Sequence, residues 1–447
     1  MISRGTFRGA TAVLAAASLI AGPALGDTLK LDQAVRQGLA QSPELGQAQA
    51  RIGQAEAGRD QARRQWLPNV DVTGAAGLRH LENDARVQLG LSSIDEKPLY
   101  ATIGLDQPLW DFGRRGNSVK VQNARLASAQ WDEQQASESV TYAIARAYLQ
   151  VVVQLSILEA AKENLAFHTD LAADVSEGVD KGAMSISEKQ QATERLESAR
   201  INLVQANADL ATANAELALL IGIAQVDVTT PPDPSRIVPP SLEEAIAVAE
   251  VNDPRVRSAE EKLRAAGFNA SKARSEYWPQ IGLQGSIRAG KDFEGYRGTT
   301  RDYEGLVVMR WNIFNGGITA AKVREADRGS DEARFGLAQA QRDSELGVRK
   351  AWIGLENWRA KSAIQQERLN VARGVRESYR AQFGIGRRSL LDLLDAQNSV
   401  YNATVESQVA NTGLLLAQYG LLAQMGRLRS FLGVEKPVID PTMYGPK

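Results

Sequence analysis

A mainly α-helical fold with a smaller β portion, built twice within one chain, follows from three observations. The chain repeats itself over about 200 residues, each repeat carries long tracts rich in Ala, Gln, Glu and Arg, and each holds one pair of short alternating segments. Residues 31–74 match residues 242–285 at a constant offset of 211. Leu31, Ala34, Pro43, Ala62, Arg63, Pro68 and Gly74 recur as Leu242, Ala245, Pro254, Ala273, Arg274, Pro279 and Gly285. From about residue 108 the offset is 204, so the halves differ by one seven-residue deletion between 74 and 108. Leu109-Trp110-Asp111 then matches Ile313-Phe314-Asn315, Gly182 matches Gly386, and Gly222 matches Gly426. A unit of this length is too long for a solenoid repeat and points to pseudo-symmetric halves of one assembly.

The elements follow in the same order in each half. A short helix spans about Leu31 to Gln41, and Leu242 to Val251 in the second copy. Ser42-Pro43 and Asp253-Pro254 break it and open the next helix with Pro in the first turn. That helix stops before Leu67-Pro68 and Trp278-Pro279. Alternating segments follow: Val70 and Val72 share a face, as do Ile281 and Leu283. The returning segments carry Ala101, Ile103 and Leu105, then Gly305, Val307 and Met309, with matching parity. Alternation over about ten residues, with Trp66, Tyr100, Trp110, Tyr277, Trp278, Tyr303 and Trp311 near the ends, is the pattern of an outer-membrane strand pair with an aromatic girdle. A small soluble hairpin is the alternative.

Asp111-Phe112-Gly113 and Asn315-Gly316-Gly317 end the hairpins. A helix from about Arg114 to Ser176 follows, roughly 95 Å long at 1.5 Å per residue, and its counterpart starts near Ile318. Gly178-Val179-Asp180-Lys181-Gly182 and Gly384-Ile385-Gly386 interrupt these tracts before second helices over about Ser185–Leu220 and Ser389–Met425. Narrow Ala-rich stripes such as Ala136, Val140, Ala143, Ala147 and Val151 suit close helix seams in a coiled coil or helical barrel. Four strands cannot close a barrel, and open edges in lipid are not tolerated, so hairpins in a membrane require several copies; three would give twelve strands.

Composition bounds the rest. The chain has 447 residues, net charge −1, only 6% aromatics and no Cys. No general nucleic-acid field is expected, and disulfides, thiolate metal sites and a lipidated Cys are excluded. His80 and His168 are the only histidines and lie in no ligand cluster. With no Ser/His/Asp set, phosphate loop or metal spacing, neither enzyme activity nor a cofactor is expected. Arg4 and Arg8, the apolar run Ala10 to Ile20 and Ala24-Leu25-Gly26 read as a secretory signal rather than a membrane anchor. No later run approaches the length of a transmembrane helix. The chain thus divides into a signal peptide (1–26), a first repeat (27–230), a Pro-rich linker (231–240), a second repeat (241–433) and a tail (434–447).

This combination resembles the TolC family of outer-membrane export channels. The resemblance rests on the tandem repeat, the paired Leu67-Pro68 and Trp278-Pro279, the turns at Phe112-Gly113 and Asn315-Gly316-Gly317, and the run from Gly386 to Gln397. That run is similar to the family's G-x-x-S/T-x-x-D-x-L-D-A segment. The resemblance implies a homotrimer with a twelve-stranded barrel in outer-membrane lipid and a helical tunnel across the periplasm. It also implies a passive exit duct served by a periplasmic adaptor and an inner-membrane ABC or other export pump. The missing lipid Cys favours the type I secretion branch. By position it implies an entrance network of Arg388, Asp392 and Asp395, with Glu188 in the matching first-half place; Phe383 stands where the family's best-known member has Tyr. The adaptor would dock on the helical tips at Gly178, Gly182, Gly384 and Gly386.

The residues allow two readings of that entrance. Arg388, Asp392 and Asp395 share one helical face, and three copies would crowd six carboxylates into a narrow space unless Arg neutralised them. Ser185-Ile186-Ser187-Glu188 and Ser389-Leu390-Leu391-Asp392 are equally S-x-x-acid patterns, in which Glu188 and Asp392 cap helices. Asp395 has no capping role at its spacing, and Arg387 and Arg388 are also readable as solvated turn residues. Rival classes are a periplasmic coiled-coil adaptor without a pore, or an envelope tether.

Overall fold

The computed structural model describes residues 28–434, except 83, 85–87, 89–93, 224–226 and 296. The signal peptide 1–26 and nearly all of the tail 434–447 lie outside the described residues. Helix α1 (Leu31–Gln41) gives way at Ser42 to α2 (Pro43–Arg64). The Ser42 hydroxyl accepts from Leu45 N at 3.4 Å, and Pro43 supplies a first-turn residue with no N–H to satisfy. The second copy repeats this with α5 (Leu242–Asn252) and α6 (Pro254–Arg274), where the Asp253 carboxylate accepts from Arg255 N at 2.9 Å.

Two helices of 67 residues, α3 (Arg114–Asp180) and α7 (Ile318–Gly384), are each about 100 Å long and run the length of the body. They turn back into α4 (Ile186–Ile221) and α8 (Leu390–Gln424), and a short α9 (Leu428–Phe431) ends the described chain. Toward the strands, α2 packs on α3, and α6 sits between α3 and α7; toward the other end, α4 packs on α3, and α8 sits between α3 and α7. The body is therefore a ribbon four helices wide, with α2 and α4 along one edge and α7 along the other.

The largest core lies midway along the long helices. Ile144, Tyr148 and Val151 of α3 meet Leu217 and Ile221 of α4, Val348 and Leu355 of α7, and Leu421 and Leu422 of α8. Two tyrosines strap the connection between repeats across this waist. Thr229 N donates to the Tyr148 hydroxyl at 2.9 Å, which in turn donates to the Leu29 carbonyl at 2.8 Å. The Tyr419 hydroxyl donates to the Pro232 carbonyl at 2.6 Å.

Three readings of the sequence are corrected here. The first long helix continues to Asp180, so Gly178 lies in its last turns rather than in the interruption, and Gly384 is the final residue of α7. Of the stripe Ala136, Val140, Ala143, Ala147 and Val151, only the last two are buried, and Ala143 is exposed. The buried edge runs instead through Ser137, Thr141, Ile144, Ala145 and Tyr148, because α3 is packed by several helices and not by a single seam. Helix α3 also holds an 18-residue stretch long and apolar enough by composition to cross a bilayer; half of it is buried in the helical body.

The strands form one antiparallel sheet in the order β1 (Asn69–Ala76), β4 (Leu99–Trp110), β5 (Gln280–Lys291), β6 (Thr299–Arg310). A separate ladder of β2 (Arg79–Leu81) and β3 (Ile94–Glu96) extends the first-repeat loop. The second repeat turns more tightly, with Asp292 N donating to the Gly298 carbonyl at 3.0 Å. The register places Val72 opposite Ile103, Ile103 opposite Ile287, and Ile287 opposite Tyr303. This row and its neighbours Val70, Val307 and Met309 are exposed apolar side chains on one face. The opposite face carries Asp71, Thr73, Thr102, Asp106, Gln284 and Arg288, with Gln284 donating to Asp106 at 2.9 Å. A sheet that is apolar outside and polar inside is the alternation of a membrane barrel wall.

Trp66, Trp110, Phe112 and Trp278 gather where the sheet meets the helices. Phe112 stacks on Trp278 at 5.3 Å, and the Arg115 guanidinium lies 4.2 Å from the Trp66 ring centre. Phe112 holds φ +50°, a left-handed conformation that its counterpart Gly316 (φ +67°) adopts without a side chain. Arg115 and Asp111 form a buried ion pair of 2.7 Å, and the Asp111 carboxylate also accepts Arg115 N at 3.1 Å.

The two faces predict opposite tolerances. Ile103→Arg should cost about 2–4 kcal/mol in lipid, as a cation at mid-depth of a barrel wall does, whereas Thr73→Arg on the polar face should cost little. Folded fractions in detergent–lipid mixtures, read by heat-modifiable gel mobility, check this; equal loss for both would remove the lipid face.

Candidate functional site

The end of the body remote from the sheet is closed by two turns of the same geometry. In the first, Gly182 takes φ +74°, its N–H donates to the Val179 carbonyl at 2.9 Å, and Ala183 N donates to the Gly178 carbonyl at 2.8 Å. In the second, Gly386 takes φ +71°, its N–H donates to Phe383 O at 2.9 Å, and Arg387 N donates to Gln382 O at 2.9 Å. These are left-handed helix stops, for which a residue without Cβ is suited. Gly178 has a different reason to be small: a Cβ there would meet the Met184 sulfur at 2.9 Å.

Each turn leads into a capping box. Glu188 N donates to the Ser185 hydroxyl at 3.2 Å, and the Glu188 carboxylate accepts Ser185 N at 2.7 Å. Asp392 N donates to the Ser389 hydroxyl at 3.2 Å, and the Asp392 carboxylate accepts the Ser389 hydroxyl at 2.9 Å. That hydroxyl holds the Asp392 carboxyl below the usual carboxylate range, and the Arg388 charge adds to the effect. Both acidic residues therefore perform the capping role that their spacing allowed.

The other candidates form contacts of different kinds. Arg388 lies over the Tyr379 ring at 4.3 Å, donates through Nε to Gln382 at 3.1 Å, and stands 3.7 Å from the Asp392 carboxylate. Asp395 accepts from Arg195 at 3.3 Å, an ion pair that ties the second-repeat hairpin to the first. Phe383 is half-buried against a small core of Leu171, Val175, Ala192, Leu390, Leu393 and Leu394. Arg387 is exposed at the turn. The structure thus brings Arg388 and Asp392 together and links Asp395 to another partner, Arg195.

A polar layer above that core escaped the sequence reading. The Gln397 amide donates to Asn164 at 2.9 Å with both residues buried, and His168 is buried one turn further along α3. A signal for it was present: Ala161, Asn164, His168, Leu171 and Val175 follow three- and four-residue spacing, so two polar side chains occupy seam positions. Arg195 and Tyr379 offered no comparable pattern. Of the two histidines, His80 is exposed and pairs with Asp95 at 2.6 Å, while His168 is enclosed. Among the described residues, no group of His, Asp and Glu could hold a metal ion.

Fold and relatives together define a class: an outer-membrane channel protein whose helical body reaches into the periplasm. The chain belongs to the outer membrane efflux protein family, whose sequence profile matches residues 34–223 and 245–427. Among its relatives, outer membrane efflux protein BepC of Brucella suis is 24% identical, spanning 80% of this chain and 79% of its own. Alkaline protease secretion protein AprF of Pseudomonas aeruginosa is also 24% identical, spanning 75% and 69%. Outer membrane protein TolC of Escherichia coli is 21% identical over 97% of this chain and 90% of its own. The fold is shared with the outer membrane protein VceC of Vibrio cholerae, at TM-score 0.72 and 15% identity over 89% of this chain and 96% of that one. The Campylobacter jejuni CmeC channel has the same TM-score, 0.72, at 19% identity over 89% and 86%. The protein is an outer-membrane efflux channel, and its family is one of transport proteins. The adaptor reading finds no support among these relatives.

Burial pushes the His168 pKa below the usual histidine value, and the nearby Arg195 charge adds to this. A depressed histidine pKa favours the neutral ring in the folded state, so stability is full above about pH 6.5, the unfolded value, and is lost as the pH falls from there toward the lower folded-state value. Thermal unfolding of wild type and His168→Leu between about pH 7.5 and 5.5 should show the variant gaining on wild type as the pH falls. A gap that does not change with pH would mean the ring titrates as if exposed.

Proposed function

We propose that three copies assemble into a tunnel whose twelve-stranded barrel crosses the outer membrane and whose helical ribbons close side by side across the periplasm. The tunnel is a passive exit duct for type I protein secretion, multidrug efflux or both. It receives cargo from an inner-membrane ABC or other export pump through a periplasmic adaptor seated on the tips around Gly178, Gly182, Gly384 and Gly386. The observation that carries this reading is the open sheet: four strands, one apolar face, and β1 and β6 each with one neighbour in the sheet. In hydrocarbon those edges require strands from further copies. The names of the secretion and efflux relatives support both kinds of cargo.

At the entrance, Asp392, Asp395, Arg388, Glu188 and Phe383 form the narrowing. Glu188 and Asp392 fix where α4 and α8 start, and so where the tips stand. Arg388 balances Asp392, and Arg195 holds Asp395 across the two hairpins, so the acidic groups are partly neutralised at rest. Phe383 fastens the second tip to the core beside it through apolar contact rather than a hydroxyl.

Planar-bilayer conductance of the detergent-purified chain tests both levels. Cation-selective channels are expected, with selectivity reduced by Asp392→Ala combined with Asp395→Ala and single-channel conductance raised by Arg195→Ala. Channels indifferent to all three changes would keep the duct and discard the entrance; absence of channels would overturn the duct itself.

A further inference from the structure

The four-stranded sheet sorts its charges by face and by end. Asp71, Asp106, Arg288, Asp302, Glu304 and Arg310 fall on the polar face, by the alternation within each strand and the registers that join them. The apolar face carries two charges, Lys291 and Arg301. Both are cations, both are exposed, and both stand at the end of the sheet away from the helices.

The register fixes their relation. Lys291 of β5 lies opposite Thr299, and Arg301 of β6 lies opposite Ala289. They are diagonal neighbours on one face, about 7–8 Å apart at the backbone, a spacing that two long side chains bridge. Tyr303, 70% exposed, follows Arg301 inward on the same face, and Leu99 of β4 stands opposite Lys291 on its other side.

Their height is that of a lipid boundary. The run from Ile281 to Lys291 is about 33 Å along the strand, or about 25 Å in depth at a tilt of 35–45°, which is the height of a barrel's apolar band. Ile281 therefore marks one boundary and Lys291 the other. Arg301 sits two residues inside, where a long side chain reaches back up to the headgroups. The helical body lies on the periplasmic side, so the boundary at Lys291 is that of the outer leaflet.

The protein's own carboxylates do not occupy these cations. The Asp292 carboxylate accepts Gly298 N at 2.7 Å and closes the hairpin turn. Asp302 and Glu304 belong to the opposite face, and Glu294 to the turn beyond the strand ends. Among the described residues neither Lys291 nor Arg301 forms an ion pair. The first hairpin has no such pair: at this end its apolar face carries Gly74, Ala76, Leu99 and Ala101.

We propose that Lys291 and Arg301 clasp a phosphate of the outer-leaflet glycolipid, one site per copy. This rests on the reading of the sheet as an outer-membrane barrel wall and adds a lipid that the wall recognises. A cation on a lipid-facing wall is costly unless an anion meets it, and the outer leaflet presents phosphates on an acylated disaccharide at that height. Arg offers a planar fork to phosphate and Lys a point charge, so two strands hold one group from two sides. The acyl chains then run down the row of Tyr303 and Ile287. The opposite end of this face, at Val70, Ile281 and Met309, carries no charge and makes no such demand on the inner-leaflet phospholipids.

Native mass spectrometry of the full-length channel in detergent tests this, with three lipids supplied at equal concentration: diphosphoryl lipid A, fully dephosphorylated lipid A of the same acyl pattern, and phosphatidylglycerol. Diphosphoryl lipid A is expected at one molecule per copy, held about tenfold or more tightly than the dephosphorylated form. Lys291→Gln with Arg301→Gln should remove that preference. Arg288→Gln, which deletes a cation of similar height on the polar face, should leave it unchanged, and Lys291→Arg should retain it. Equal retention of the two lipid A forms, indifference to the double substitution, or an equal loss with Arg288→Gln would overturn the proposal. Phosphatidylglycerol held as tightly as diphosphoryl lipid A would also overturn it, because the pair would then read any anionic lipid. The comparison of lipids on the unaltered chain decides the matter even where a variant fails to fold. Bilayer conductance is read alongside: channels that persist without lipid preference sink only this inference, whereas absent channels sink the duct.

Discussion

A backbone N–H or C=O facing hydrocarbon without a partner costs several kcal/mol, and the rest of this architecture answers to that constraint. The sheet satisfies it internally between β1 and β4, β4 and β5, and β5 and β6, and β1 and β6 each have one neighbour in the sheet. The requirement fixes more than the strands. Each strand is joined within a few residues to a helix, so sheets that closed around an axis would bring their helical ribbons side by side. The edges of that ribbon, α4 and α7, accordingly expose Ile201, Val204, Ile353 and Ile364, apolar groups suited to a neighbour's edge.

Much of this was legible in the sequence because the elements are long and regular. The helix breaks at Ser42-Pro43 and Asp253-Pro254 lie where Pro and the cap residues put them, and the strand parity read from Ile103 and Val307 is the parity of the observed register. What the sequence hid was three-dimensional. The buried side of α3 was misjudged because several helices share it, and no single period describes an arc that wide. Glycines were taken as breaks at Gly178 and Gly384, yet both lie within helices, and only Gly182 and Gly386 have the left-handed conformation. In the candidate site, Ser389 and Asp392 could be placed by local spacing. The Arg195–Asp395 pair could not, since its partners are 200 residues apart.

Duplication accounts for the likeness of the halves, and selective departures account for their division of labour. Asp111 and Arg115 form a buried ion pair at the first strand-to-helix junction, where the second uses the neutral Asn315 and Thr319 at 2.9 Å. Phe112 keeps a left-handed backbone that the second half gives to Gly316, and its ring rests on Trp278 of the other repeat. At the opposite end the two capping boxes are near copies, while the exposed charges around them are not. The backbone geometry of the turns is preserved, and the surface charge around them has diverged.

The waist has a mechanical meaning. The main core and the tyrosine-held strap sit near the midpoint of helices about 100 Å long, so each hairpin extends some 50 Å beyond a stiff fulcrum. A rotation of about 5° there carries the tips about 4 Å sideways, since displacement scales with arm length and helices of 1.5 Å rise per residue bend little. The length of the hairpins thus magnifies at their tips any rotation about Tyr148, Tyr419 and their neighbours.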